Sequence, residues 1–385
     1  LQEVIDAQKD AQNTVTFVKE ASNYVQELGS YKLGLEKQLQ GPAAAREGTL
    51  EQRYYSWSGN GSSGYQWLKT GTVAYSDKNV DASLRLQHIN AQASVNGTSG
   101  YLTGWMDTQL AMTRTQENKA QIWKYGLDVN LPTGMTRLSA TARQAQIDDD
   151  LVETDVFGEG WNWTPRVEWS YKKGEQDLWT LGTSYGFRGS YVRYASGSAA
   201  DTANYSPGNE WSRYLRWRHL GDKNRIEWEA SNSVYSAAAL NGAAWYRSGN
   251  AWDVRGSYAK TLTPTTELQL YVRQHWDAAE HSYQGEDLGG GQKRRYAGVA
   301  LEKEVHPGRL LRLSLDGMWA DGNLLDPQTN LLKSKRQRYS FGVGYDITLP
   351  KERRIYLDLR WFRLHQDEAA SYHGYQLSCG FFQSL

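Results

Sequence analysis

Apolar and polar side chains alternate strictly along residues 354–365. One parity is apolar and includes a tryptophan: Ile355, Leu357, Leu359 and Trp361. The other holds an aspartate and an arginine: Tyr356, Asp358, Arg360 and Phe362. Because successive side chains of a strand point to opposite faces, the segment predicts a β-strand with one apolar and one polar face. Since the pattern recurs about sixteen times, we predict an all-β membrane protein, an antiparallel transmembrane β-barrel with an even strand number.

The segments between the predicted strands fall into two classes. Short turns rich in Gly, Pro, Asn or Asp are predicted at residues 132–134, 173–175, 221–224, 263–264, 306–308 and 350–351. Longer polar connections are predicted at residues 147–162, 196–209, 241–250, 282–292, 321–333 and 366–372. This alternation is typical of outer-membrane barrels, whose short turns face the periplasm. The early hairpins are less regular, and residues 77–79 and 117–118 are predicted to turn on the opposite side.

Composition agrees with a barrel and excludes other classes. The chain contains 16 Trp and 25 Tyr but only 7 Phe, as expected if amphipathic rings sit at membrane interfaces. A mean hydropathy of −0.71 is compatible with a barrel, since half of each strand faces a polar interior. Lys+Arg and Asp+Glu both number 43, so no basic footprint predicts a nucleic-acid partner. Cys379 is the only cysteine, which excludes an intrachain disulfide.

The N-terminal residues follow a different, helical pattern. Apolar positions recur at heptad spacing over four repeats: Val4, Ala7, Ala11, Thr14, Val18, Ala21, Val25 and Leu28. The series is open to two interpretations, an oligomeric coiled-coil seam formed by Val4, Ala11, Val18, Ala21, Val25 and Leu28, or an ordinary amphipathic helix packed on a neighbour. We predict a helical plug or coiled-coil segment over residues 1–48, with a hinge at Gly41 and Pro42. A flexible linker is predicted over residues 49–63, and the barrel over residues 64–385.

Charged residues of both signs occupy the polar parity of the predicted strands, and we predict that they line a pore. They are Arg85, Arg137, Arg143, Arg216, Arg218, Arg225, Glu227, Glu229, Arg273, Glu302, Arg312, Asp316, Arg338, Asp346, Asp358 and Arg360. Opposed basic and acidic walls would focus a transverse field, whereas neighbouring pairs would only hold the wall together. Small residues such as Gly182 and Gly298 share this parity, leaving room for a wide lumen or for a helix inside it.

No spaced nucleophile, base and orienting group points to catalysis. His275 and His281 lie six residues apart, which is not a recognised metal-ligand spacing and favours a surface pair. We therefore expect no enzyme activity, no metal and no cofactor.

A heptad-bearing helix, a Gly/Ser-rich linker and a barrel, in that order, resemble the FapF-type functional-amyloid secretion channels of the pseudomonad outer membrane. The resemblance implies a trimer of gated barrels that exports unfolded amyloid subunits for biofilm fibres. It also implies contact with outer-membrane lipid and an N-terminal segment on the periplasmic side. A passive or substrate-selective porin for small solutes is the alternative, and a barrel enzyme or adhesin remains a third class.

Overall fold

The computed structural model describes residues 45–59, 61–77, 79–95, 97–135, 139, 142, 145, 158, 160–174, 176–192, 204–282, 287–289, 291–325, 332–350, 353–366 and 371–384. The predictions for the heptad seam, for the hinge at Gly41 and Pro42 and for the plug up to residue 44 fall outside these residues. Residues 45–48, predicted to end the helical segment, are instead β-strand and pair with residues 73–76. Within the described residues, no helix is long and apolar enough to cross a membrane.

Most of the chain forms one large antiparallel sheet. Its strands are β1 (Ala45–Gly59), β2 (Ser62–Ser76), β3 (Val80–Val95), β4 (Thr98–Trp105), β5 (Thr108–Asn118), β6 (Gln121–Leu131), β7 (Asn162–Lys173), β8 (Asp177–Gly186), β11 (Glu210–Leu220), β12 (Asn224–Tyr235), β15 (Ala251–Thr263), β16 (Thr266–Asp277), β19 (Gln292–His306), β20 (Arg309–Leu325), β21 (Leu332–Leu349), β22 (Arg353–Gln366) and β23 (Tyr372–Ser384). A smaller sheet contains β9 (Tyr191–Val192), β10 (Asn204–Ser206), β13 (Ala237–Leu240), β14 (Ala243–Arg247), β17 (Glu280–Ser282) and β18 (Asp287–Gly289).

The large sheet closes into a barrel because its first and last strands pair. β1 runs antiparallel to β23 from Glu47 opposite Ser384 to Ser58 opposite His373. β4 and β5 both pair with β3, each along a different half of it. We therefore count them as one barrel-spanning strand, or stave, which is interrupted at Met106 and Asp107. Seventeen strands therefore make sixteen staves. The predicted antiparallel barrel and its even strand number are confirmed.

The two ends of the barrel differ in their connections. At one end, short turns such as residues 119–120, 264–265 and 307–308 join neighbouring strands. The start of β1 and the end of β23 lie at this end too. Gly308 takes a positive φ of 73° in its turn, which favours glycine. At the other end, longer connections follow β6, β8, β12 and β16, and the smaller sheet is built from three of them. We call these the short-turn end and the long-loop end.

Three predictions about the early staves are wrong. Residues 49–63 are strand β1 and the start of β2 rather than a linker, because every residue of β1 pairs with β2. The predicted turn at residues 132–134 begins the long connection over residues 132–161, since β6 pairs directly with β7. The turns at residues 77–79 and 119–120 lie at the same end as the other short turns. The predicted number of strands nevertheless matches, because the prediction left out β1 and counted one strand between the predicted turn at residues 132–134 and the predicted connection at residues 147–162.

Candidate permeation path

Strand β22 separates the two faces of the wall. Leu357 is 51 % exposed on the outer face, whereas Asp358 and Arg360 on the inner face are only 8 % and 7 % exposed. Ile355 and Trp361 are exposed on the same side as Leu357. The neighbouring strand continues this order, since Leu357 lies opposite Tyr345 and Asp358 opposite Gly344. In the middle of β22, from Leu357 to Arg360, the charged side chains thus face the interior of the barrel and the apolar ones face outward.

A ladder of ion pairs crosses the inner face from β11 to β16. Glu229 binds the guanidinium groups of Arg216 and of Arg255, the latter at 2.7 Å between Oε1 and Nη2. In the next inward-facing pair toward the short-turn end, Arg218 Nε contacts Glu227 Oε2 at 2.8 Å. Charge-assisted hydrogen bonds of this kind are stronger than neutral ones. Basic and acidic groups therefore alternate between adjacent strands here.

The ladder ends nearer the short-turn end at Arg225, whose Nη2 contacts Glu267 Oε1 at 2.6 Å. Toward the long-loop end, a buried chain of polar groups continues it. Arg273 Nε donates to Asp253 Oδ2 at 2.6 Å, and His275 lies between Asp253 and Asp277 at 3.3 and 2.9 Å. The expectation of a surface histidine pair is therefore wrong for His275, which lies on the inner face, while His281 lies on β17.

A second cluster of charges occupies β19 to β22. Arg312 Nε contacts Glu302 Oε1 at 2.7 Å, and its Nη2 lies 3.5 Å from Asp346 Oδ2. Arg360 Nη1 lies 3.3 Å from Asp316 Oδ1 on the other side of Ser340 and Gly342. Asp358 is attracted by both Arg360 and Arg312. The charges in these two inner-face clusters pair with neighbours, so the interpretation as local pairs fits better than opposed basic and acidic walls.

At Gly182 and Gly298, the small residues of the inner face do not leave the expected free space. The ring of Tyr214 covers Gly182, where an added Cβ would lie 2.2 Å from the ring, and Tyr271 covers Gly298 in the same way. Both tyrosines lie directly opposite their glycines in the sheet. The glycines therefore accommodate a flat aromatic ring against the wall, and the room predicted for a wide lumen or a helix is taken at these two positions.

One part of the inner face is apolar. Leu68, Ile89, Leu102 and Met106 from β2, β3 and the β4–β5 stave form a buried cluster with Ala142 and Ala145. Met135 packs against it over Gly104, where an added Cβ would lie 2.4 Å from its sulfur. Asp107 anchors the same connection by accepting hydrogen bonds from Gly134 N at 2.8 Å and Asn130 Nδ2 at 2.6 Å. Where it is described, at Met135, Ala142 and Ala145, the connection after β6 thus lies against the inside of the barrel.

The structure places the predicted pore residues as follows. Fourteen of the sixteen lie at inward-facing positions of described strands. One of them, Arg85, contacts Gln109 Oε1 at 3.4 Å. Arg137 and Arg143 lie outside the described residues. Sequence reading missed several partners of the predicted charges: Asp253, Arg255, Glu267, Asp277 and Arg354. Their inward parity was readable from the alternation, but their pairing depends on strand register, which sequence periodicity does not specify.

No protein-family model matches the chain, and none of the curated proteins matches it in sequence. Among solved structures, it is similar to a bacterial polysaccharide outer membrane secretin with 9% sequence identity and a TM-score of 0.50, covering 89% of this chain and 98% of that one. It also aligns with Pseudomonas aeruginosa OpdO at 10% identity and a TM-score of 0.49, covering 89% and 97%. The first likeness shows a shared barrel fold; membership in the FapF-type family stays a prediction.

Proposed function

We propose that the chain forms a channel across a bacterial outer membrane and that polar solutes or polymers cross it through the barrel interior. The observation that carries this proposal is the sidedness of the closed sixteen-stave barrel, with leucine and aromatic side chains outside and arginine–carboxylate pairs inside. An outer face that contacts lipid has to be apolar. An inner face lined by charged pairs is compatible with the passage of polar solutes. This assigns transport and no catalysis to the barrel.

Planar-bilayer recording of the purified full chain tests the channel. We expect discrete current steps whose conductance rises with salt concentration. A folded barrel that inserts into the bilayer and carries no current, in the intact chain and in a chain beginning at Ala45, would contradict a channel function.

Gated export of unfolded amyloid subunits is the finer form of the proposal. It is favoured by the heptad pattern at Val4, Ala11, Val18 and Val25, which a passive pore does not require. We propose that residues 1–44 close the barrel reversibly and that the N-terminus lies in the periplasm. We also propose that the chain forms an oligomer if the heptad series is a seam, and the resemblance to the FapF-type channels makes that oligomer a homotrimer. A passive or selective porin remains the second candidate, supported by the same charged interior.

Removal of residues 1–44 separates these candidates. A plug predicts brief, flickering openings in the intact chain and large, steady currents in the truncated one. An unfolded polypeptide added to the truncated channel should block it transiently if polymers pass. Equal conductance before and after truncation, with no polypeptide block, favours the porin. Val18→Asp in the full chain should lower the oligomer number in native mass spectrometry if the seam is real.

A further inference from the structure

The outer face of the barrel changes character around its long-loop end. On β19, β21, β22 and β23, the outward residues nearest this end include exposed basic or imidazole side chains: Lys293, Arg295, Lys335, Arg363, His365 and His373. We call this set the basic sector. β20, which lies between β19 and β21, contributes the acidic Asp321 at this level, and Asp321 pairs with Arg295 at 2.6 Å. Among the described residues, Lys293, Lys335 and Arg363 have no acidic partner.

Strand register places the basic sector in three successive outward rows on one side of the barrel, with Trp319, Gln337 and Tyr339 among the basic groups. Lys293 and Lys335 both lie opposite Asp321, from the two sides. Arg363 lies opposite His373 on one side and Tyr339 on the other. Since neighbouring strands are about 4.8 Å apart, the four strands that carry these groups, β19 and β21 to β23, span about 19 Å. That width suits a headgroup carrying more than one anionic group.

Aromatic rings lie directly beneath the basic sector. Phe341, Trp361 and Tyr375 are exposed on the outer face, and the first two stack with ring centroids 5.8 Å apart. Trp361 precedes Arg363 by one outward position, and Tyr375 follows His373 by one. Because tryptophan and tyrosine concentrate at the membrane–water boundary, these rings place the cations at the depth of lipid headgroups.

The rest of this rim carries other chemistry. From β7 to β16 it is largely aromatic, with outward Trp163, Tyr185, Trp211, Trp252 and Trp276. Arg213 lies in that part, but it donates to Asn232 and stacks over Trp211. From β1 to β4 the rim is uncharged, with Ser58, Ser63 and Ser99. Unpaired cations at headgroup depth are therefore concentrated on one side of the barrel.

We propose that the basic sector binds the phosphorylated headgroup of a membrane lipid, which lies with its chains on the leucine-rich surface below. Arginine and lysine at this depth complement phosphate by charge and hydrogen bonding. The acyl chains would cover Leu313, Leu315 and Leu357, which are exposed on β20 and β22. The inference rests on the proposed membrane placement, and it adds a fixed lipid contact on one side of the channel.

Native mass spectrometry of the full chain tests this, with bis-phosphorylated lipid A and its dephosphorylated form as paired probes. Lys293→Gln, Lys335→Gln and Arg363→Gln together form the sector variant. Lys303→Gln, Arg309→Gln and Arg353→Gln, from β19, β20 and β22 at the short-turn end, form the matched control. We expect the wild type to retain the phosphorylated lipid at least about tenfold better than the dephosphorylated one, and the sector variant to lose that preference while the control keeps it.

Equal retention of both lipids by the wild type would overturn the proposal. So would an equal loss of retention in the sector and control variants, which would indicate attraction by net charge. Displacement of lipid A by inorganic phosphate alone would also contradict it, because the lipid chains are part of the site. Bilayer conductance of each variant reports folding and channel function separately, so the lipid site can fail while the channel stands.

Discussion

The strands β19–β23 and β1–β5 belong to one closed sheet but differ in which side chains lie on the inner and outer faces. In β19–β23, Leu315, Phe341 and Trp361 lie outside while arginine–carboxylate pairs lie inside. In β1–β5, Leu68 and Ile89 are buried on the inner face. The outer row at the middle of these strands is polar, since Gln52, Lys69 and His88 lie opposite one another.

The difference follows from what covers each face. Leu68 and Ile89 contact Met135, Ala142 and Ala145 of the connection after β6, so that part of the inner face is a packed interior. Outside, Lys69 places its amine 3.9 Å from the centroid of the Trp67 ring, one outward position nearer the long-loop end. A long cation can thus reach the interface from within the apolar band. Whether a face of this wall is apolar or polar therefore depends on what packs against it, as well as on the alternation of side chains along the strand.

Ile89→Ala should have the largest effect if the inner cluster is a packed core. Ile89 is 0 % exposed, and the loss of such a side chain costs about 2–5 kcal/mol of unfolding free energy. Leu84→Ala, on the outer face of the same strand, is the control and should cost clearly less. Urea unfolding in detergent, followed by tryptophan fluorescence, measures both. Equal losses would remove the distinction between the two regions.

Leu357→Arg tests the outer face of β22. A cation at the middle of the lipid-facing band should cost about 2–4 kcal/mol in unfolding free energy. Leu357→Ala separates the charge from the lost volume and should cost less. Reversible unfolding in lipid vesicles gives both values. If both substitutions have the same cost, this position does not face lipid.

Glu229→Gln removes the shared acceptor of Arg216 and Arg255 on the inner face. Breaking a buried pair costs about 3–5 kcal/mol, and we expect a smaller loss of about 1–3 kcal/mol because the arginines keep partial exposure. The freed positive charge should also shift ion selectivity toward anions. Reversal potentials under a salt gradient measure the shift, and unchanged selectivity would place Glu229 off the ion path. The double variant Arg216→Gln, Glu229→Gln should recover part of the stability.

The smallest effect should come from Asp77 in the turn between β2 and β3. Its carboxylate accepts hydrogen bonds from the Asn79 amide, the Tyr75 hydroxyl and the Val80 amide at 2.7, 2.8 and 2.7 Å, which holds the pKa of Asp77 below 3.8. The ionised group stabilises the fold above its unfolded pKa, and this contribution is lost as pH falls through the lower folded pKa. Asp77→Asn should flatten the pH dependence of the thermal midpoint below about pH 4.

Where alternation is strict, sequence alone identified the strands. Ile355 to Trp361 and the turns at residues 306–308 and 350–351 needed no tertiary information. β1 was missed because Gln52, Ser56 and Ser58 occupy outward positions that lipid-facing strands usually fill with apolar residues. The segment after residue 134 alternates as a strand does, yet Ala142 and Ala145 pack on the inner face. Tertiary contacts override local pattern at both places.

The ion pairs of the interior, like the early strands, could not be predicted from the local sequence pattern alone. Parity alone placed Arg216 and Glu229 on one face, but the pairing of Glu229 with Arg255 depends on the register between β12 and β15. The tyrosine over Gly182 likewise follows from the β8–β11 register.

Neighbouring cysteines on opposite faces of β12 test the central claim most directly. Ser231 lies on the inner parity and Ala230 is exposed on the outer one, so Ser231→Cys and Ala230→Cys, each with Cys379→Ser, differ by one position. Single-channel current is recorded while a charged, water-soluble thiol reagent is added. We predict a stepwise reduction of current for Ser231→Cys and none for Ala230→Cys. The same response from both variants, or no current through a folded and inserted barrel, would contradict a polar path enclosed by a lipid-facing wall.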